Sequence, residues 1–496
     1  MQRPNVLIIH TDQQRIDTLG AYGNKDVRTP NIDALAADGV TYRNSFCCYP
    51  VCTPSRYSLL TGLYVHQHLG WNNRSTLPSG LATVPRILKQ AGYRTKAVGK
   101  MHFTPTYLDV GFEEMELAEQ DGPGRYDDDY HRHLQRNGLA DRLDLIDQVR
   151  EFRKDAPQEY WESFGAVESD LPEEHHSTTW IGDRAAEAMG QWSADRPNLL
   201  MVGFIKPHHP MDPPAPWSRM YDPRGLTLLD GWTESPLPGD LAFQKGYFDY
   251  TQLTEERLRR AMAMYYATVS QIDHHVGRMI DLLKQRRLYD DTLIIFTSDH
   301  GDYLGFHHMI LKGNHMYDPL VKVPLIVKHP GRAGAGGVSD ALVSNVDLAP
   351  TILARCGCPR GEFMTGLDLG GDAAGRELIF AEARRGCDYM ARSRTRKLLL
   401  CKDPAESQFF NLEADPLEMR NLLDDPGCES EIEELASRIA EWALFESPTP
   451  LHQDEHAPII PAANALSPAD GHRPQIEAYF ADKVKNAAKA VIGKKD

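Results

Sequence analysis

Several protein classes are excluded by what this chain lacks. No apolar run among its 496 residues approaches the roughly 18 needed to cross a membrane as a helix. Cysteine is scarce: 8 residues in a chain of this length do not make a disulfide scaffold. Cys47, Cys48 and Cys52 cluster, but no Cys-x-x-Cys pair or histidine at zinc-finger spacing accompanies them, so structural zinc is not expected. Positive charge is short as well, since 54 Lys and Arg against 70 Asp and Glu leave a formal net charge of −16. That balance argues against nucleic acid or an anionic membrane as a partner, although a local cationic pocket for a small anion remains compatible with it. Residues 1–5 lead into an apolar run of only about five residues, too short for the core of a secretory signal, so a cytoplasmic location is expected. No internal repeat or low-complexity tract is visible.

What is present reads as an α/β protein. Asn5-Val6-Leu7-Ile8-Ile9-His10 is a continuous apolar run of the kind buried on both faces of a parallel sheet. Similar strands are predicted over 94–98, 198–205, 292–297 and 323–327. Helices are predicted over about 30–38, 84–91, 178–192, 255–287 and 347–355. This alternation predicts a large, mainly parallel sheet sandwiched between helices in residues 1–374. An acidic, weakly periodic segment at about 105–175 reads as an insertion over one sheet edge. Short strands near 378–380, 389–393 and 397–400, with a helix over 430–444, predict a smaller C-terminal α+β subdomain at 375–447. The tail, 448–496, reads as an arm and a possible homo-oligomer contact.

Polar residues cluster where the buried strands end. The first strand leads to Asp12-Gln13, the second to Gly99-Lys100-Met101-His102, the third to Lys206-Pro207-His208-His209-Pro210 and the fourth to Ser298-Asp299-His300-Gly301. Parallel topology gathers such carboxyl ends at one edge, where open α/β sheets bind ligands. Tyr49-Pro50-Val51-Cys52-Thr53-Pro54-Ser55-Arg56 runs into a short helix that stops at Gly62. Pro54 suits the first turn, and Cys52 is expected just before the helix N-terminus, a place that favours anions.

These motifs resemble the type I sulfatases of the alkaline-phosphatase-like superfamily. The likeness rests on Cys52-x-Pro54-Ser55-Arg56 with Leu59-x-Thr61-Gly62, accompanied in the family's order by the elements just named and by Lys312-Gly313. Asn411-Leu412, Asp415-Pro416 and Asn421-Leu422 extend it to about residue 425. The resemblance implies a hydrolase that cleaves a sulfate monoester with a formylglycine made from Cys52 by a formylglycine-generating enzyme. It implies one divalent cation, calcium by analogy with magnesium or manganese as alternatives, held by Asp12, Gln13, Asp299, His300 and the residue-52 oxygen. Arg56 would hold the nucleophile or the metal-side oxygens. Lys100, Lys312 and His208 would contact the sulfate, with His208 and Lys312 near the leaving group and His102 as the base that regenerates the aldehyde. His208 is preferred to His209 because it follows Lys-Pro directly.

Gln13 departs from the commoner Asp-Asp pair and lowers the ligand charge by one. His66, His68, Trp71, Asn72, Asn73 and Arg74 are expected around the leaving group, which could belong to a sugar, aryl or alkyl sulfate. No chemistry is assigned to His307 or His308. Two other readings stand beside the sulfatase: a phosphonate monoester or phosphodiester hydrolase with the same nucleophile, against which Ser55 speaks, and a non-catalytic anion-binding homologue with Cys52 unmodified.

Overall fold

A computed structural model describes residues 3–120, 127–154, 156–193, 195–237, 240, 248–313, 315–371 and 374–450. Eight strands form the main sheet: β1 (Asn5–Asp12), β2 (Val40–Phe46), β3 (Arg94–Gly99), β4 (Glu114–Leu117), β5 (Asn198–Pro207), β6 (Thr292–Ser298), β7 (Leu325–Lys328) and β8 (Gly337–Ser344). Their order is β4-β3-β5-β1-β6-β7-β2-β8. Every pairing is parallel except those of β7, which runs against both β6 and β2.

The apolar run of β1 is explained by burial on both faces. Leu7 and Ile9 join the core beneath the Ser177–Gly190 and Glu255–Gln285 helices. Val6 and Ile8 join the core beneath the Cys52–Thr61, Val84–Gln90 and Leu348–Arg355 helices. Successive strand residues point to opposite faces, so a sheet covered on both sides needs apolar residues at every position. Each such Val, Leu or Ile contributes about 1.5–3 kcal/mol on burial.

Three features differ from the sequence expectations. Strands β2 and β8, Val-Thr-Tyr-Arg-Asn-Ser-Phe and Gly-Val-Ser-Asp-Ala-Leu-Val-Ser, were not anticipated because both mix polar with apolar residues and keep exposed positions. Strand β4 lies within the 105–175 segment, so that segment supplies the sheet edge itself. The catalytic-motif helix begins at Cys52, with Val51 as its cap, and not one residue later.

The smaller sheet is antiparallel, in the order β12-β11-β10-β9, from β9 (Ile379–Ala383), β10 (Asp388–Arg392), β11 (Arg396–Cys401) and β12 (Gln408–Asn411). The Glu429–Glu441 helix and the Trp442–Glu446 turn of π-helix close over it, with Trp442 stacked on Phe380 at 4.8 Å between centroids. This sheet docks on the main one through ion pairs from Asp318 to Arg392 (2.8 Å) and Lys397 (3.0 Å). The arm expected at 448–496 falls, beyond residue 450, outside the described residues.

Candidate active site

The four strands that end in polar clusters are neighbours in the sheet, β3-β5-β1-β6, and all run the same way. Their ends crowd closely. A Cβ on Gly203 would lie 2.0 Å from the Lys100 carbonyl oxygen, and one on Gly99, at φ 88°, would lie 2.2 Å from the Gly203 carbonyl oxygen. Only glycine allows β3 and β5 to approach this way and deliver Lys100 to the centre.

The helix carrying Cys52 is pinned across those ends. Ser55 Oγ donates to the Asp299 carbonyl (2.6 Å), Thr53 Oγ1 donates to the His102 carbonyl (2.7 Å), and the Asn73 side-chain oxygen accepts from the Thr53 N–H (3.1 Å). Cys52 Sγ then lies 3.7 Å from Asp12 Oδ1, 3.3 Å from His300 Nε2 and 3.2 Å from Lys312 Nζ. Ligand atoms of Asp12, Cys52, Asp299 and His300 all fall within 4.8 Å of one another, and all four side chains are buried.

Cations surround this acidic knot. Arg56, fully buried, reaches Asp12 Oδ2 and Asp299 Oδ2 at 3.0 Å each and donates to the Lys100 carbonyl (2.6 Å). Its donors thus go to the carboxylates rather than to the Cys52 sulfur. Lys100 Nζ pairs with Asp12 Oδ2 at 2.7 Å. Burial opposes the charge on Asp12, yet the Lys100 ammonium and the Arg56 guanidinium hold its carboxyl well below the usual range. Burial likewise works against the Cys52 thiolate and the Lys312 ammonium. Lys312 and His300 nonetheless lower the thiol, and the Cys52, Asp12 and Asp299 charges raise the lysine. Cys47 and Cys48, which lack such cations, are pushed up by burial, Cys48 to about 12.

The donor set suits a divalent cation. Gln13 takes a left-handed backbone (φ 63°) that turns its N–H onto Asp299 Oδ1 (3.0 Å), while its amide nitrogen donates to Asp302 Oδ2 (2.6 Å). Its Oε1 is left buried without a hydrogen-bond donor, an acceptor in want of a positive partner. His300 Nδ1 donates to the Gly301 carbonyl (2.9 Å), which turns Nε2 toward the carboxylates as a metal-binding histidine requires.

The remaining motif residues divide clearly. His208 Nδ1 donates to the His209 carbonyl (2.7 Å), so its Nε2 faces Lys312 Nζ at 3.1 Å as an acceptor. Burial, His209 and Lys312 hold His208 well below its ordinary pKa, hence neutral. His209 turns to Asp147 Oδ2 (2.6 Å), and Lys206 is taken up by Asp212 and the Pro210 carbonyl. His102 is buried at φ 56° with neither ring nitrogen hydrogen-bonded. Two pocket candidates are structural instead: His66 is held by Glu382 (2.9 Å) and Ser447, and His68 by Ser58 Oγ (2.9 Å). Sequence reading missed Asp302, Asp147, Glu119 and Gln120, the last three of which reach the site only through tertiary contact. The one available signal was the place of Asp302, directly after the Ser298-Asp299-His300-Gly301 element.

Three comparisons bear on this geometry. The sulfatase family model matches residues 4–358. An arylsulfatase of Clostridium perfringens is 28% identical, aligned over 87% of this chain and 93% of its own. A choline-sulfatase of Rhizobium meliloti is 29% identical over 86% of this chain and 83% of its own. The solved phosphonate monoester hydrolase of Silicibacter pomeroyi superposes with a TM-score of 0.74 at 24% identity, covering 88% of this chain and 95% of that one, which shows a shared fold.

Proposed function

From the chain's membership of the sulfatase family, we propose that it hydrolyses a sulfate monoester with a formylglycine at position 52 and one divalent cation. The observation that carries this reading is the convergence of Asp12, Cys52, Asp299 and His300 within 4.8 Å, beneath the Lys312 ammonium. Once matured, residue 52 supplies the hydrated aldehyde whose oxygen attacks sulfur. Asp12, Gln13 Oε1, Asp299 and His300 would hold the cation, whose chemistry is to neutralise charge on the nonbridging oxygens. Calcium is the ion this mainly oxygen donor set favours; magnesium and manganese are the alternatives.

The chain's own groups do the rest. Lys100 and Lys312 bind sulfate oxygens as cations held in place by their partners, where preorganised charges count most. Lys312 also gives the proton to the leaving oxygen, because neutral His208 spends its Nδ1 proton on a carbonyl and presents only a lone pair to the lysine. His208 therefore orients Lys312 rather than acting as the acid. His102, whose ring nitrogens are free of protein partners, takes the proton that lets sulfate depart and the aldehyde return.

The test is turnover of 4-nitrophenyl sulfate against a phenylphosphonate monoester by matured enzyme with calcium. We expect the sulfate to have the larger kcat/KM; the reverse order would assign the chain to the phosphonate reading. A panel of aryl, choline and sugar sulfates then ranks the leaving groups.

A further inference from the structure

One pair of buried polar residues beside the site is not used by the chemistry above. Strand β4 pairs in parallel with β3, and two residues beyond its end Leu117 the chain presents Glu119 and Gln120. Both are buried. Glu119 Oε1 accepts from the backbone N–H groups of Met101 (3.0 Å) and His102 (2.9 Å). Its own N–H is held by Asp128 Oδ2 at 2.8 Å, and Asp128 caps the next helix, Asp129–Arg136. Gln120 Oε1 accepts from Lys100 Nζ (3.2 Å), while its amide nitrogen donates to the His209 carbonyl (2.6 Å).

We propose that Glu119 and Gln120 are positioning residues, Glu119 for His102 and Gln120 for Lys100. His102 sits at φ 56°, a backbone conformation that a non-glycine residue keeps only where its surroundings impose it. A single carboxylate oxygen bridging two successive N–H groups imposes it here. Gln120 has the complementary task. Lys100 is a flexible side chain whose ammonium would otherwise fold fully onto Asp12, and the amide oxygen on its other side holds it between the two. The same amide ties this loop to the loop that carries His208. The carboxyl group of Glu119 is pushed up to about 7 by burial, against the pull of His102 and Lys100. Its second oxygen is buried without a hydrogen-bond donor.

This inference rests on the roles given above to His102 and Lys100, and the experiment separates the two. Inorganic sulfate binding is measured by calorimetry on protein with unmodified Cys52, and kcat and KM on the matured enzyme. Gln120→Leu is expected to weaken sulfate binding at least fivefold. Glu119→Ala is expected to leave binding within twofold but to lower kcat at least tenfold. Glu119→Gln, which keeps an oxygen for both N–H groups, should recover most of that loss. Equal damage by Glu119→Ala to binding and turnover, or turnover within twofold of the parent, would overturn the proposal. Should Glu119→Ala not fold, a Glu119→Gln enzyme as impaired in binding as in turnover does the same. His102→Ala and Lys100→Ala serve as references: if His102→Ala turns over normally or Lys100→Ala binds sulfate normally, the underlying reading fails instead.

Discussion

Lys312 Nζ stands within 3.2 Å of Cys52 Sγ, His208 Nε2 and His300 Nε2, so one ammonium meets the nucleophile position, its own orienting group and a cation ligand. Replacing it with methionine keeps the stem and removes the charge. The expected loss is about 10²–10³ in kcat, the range for one preorganised donor at a site of developing charge. Lys312→Arg should not restore it, because a planar fork cannot take the place of a compact ammonium among three close partners. Steady-state kinetics on 4-nitrophenyl sulfate checks both variants; an unimpaired Lys312→Met would remove the proton donor from the mechanism. Gln13 makes a second case at this scale. Its Oε1 is a buried acceptor beside the carboxylates with no donor, so Gln13→Leu should weaken calcium binding by about tenfold or more, read by calorimetry. Unchanged affinity would exclude Gln13 from the ligand set.

Between elements, a buried ion-pair cluster ties the small sheet to the main domain. Asp318, at the start of the short Asp318–Val321 helix, pairs with Arg392 of β10 and Lys397 of β11, whose side chains are 7% and 0% exposed. Asp318→Ala leaves both cations short of a partner, although Glu418 still meets Lys397 at 2.6 Å. A cost of about 3 kcal/mol follows from the usual effect of removing one member of a buried pair, measurable by denaturant unfolding. Burial opposes the Asp318 charge, but Arg392 and Lys397 outweigh it and hold its pKa below the ordinary value. Stability from a depressed carboxyl is present above its unfolded pKa of about 4 and is lost as pH falls through the folded one. Asp318→Asn should therefore flatten the acid side of the stability curve; an unchanged slope would count against the pairing.

The same contrast of local and distant interactions explains what the sequence revealed. Strands β1, β5 and β6 were legible because burial on both faces writes itself into consecutive residues. Strand β4 was not, since Glu114 and Glu116 alternate with Met115 and Leu117 over only four positions on the sheet edge. The motif residues Asp12, Cys52, Asp299 and His300 were legible from their order along the chain. Glu119, Asp147 and Asp302 touch the motif across gaps of 17 to 289 residues, and such contacts leave no periodic trace.

For the molecule as a whole, the cation is a matter of stability as well as of chemistry. Asp12 and Asp299 lie 287 positions apart and meet only when β1 and β6 pair. The unfolded chain therefore offers no comparable site, and any ion held there stabilises the folded state by mass action. At a calcium concentration 100 times Kd the gain is about 2.7 kcal/mol. In a chain of 496 residues that should appear as a rise of about 2–3 °C in Tm, with activity following the same titration. EDTA should reverse both, and Asp299→Asn should abolish the calcium-dependent rise while preserving a cooperative transition. The order of calcium, magnesium and manganese in the same assay ranks the ions without relying on turnover. A Tm identical in EDTA and in saturating concentrations of each metal would mean that Arg56 and Lys100 already neutralise the carboxylates, and the ion would then have to be removed from the site altogether.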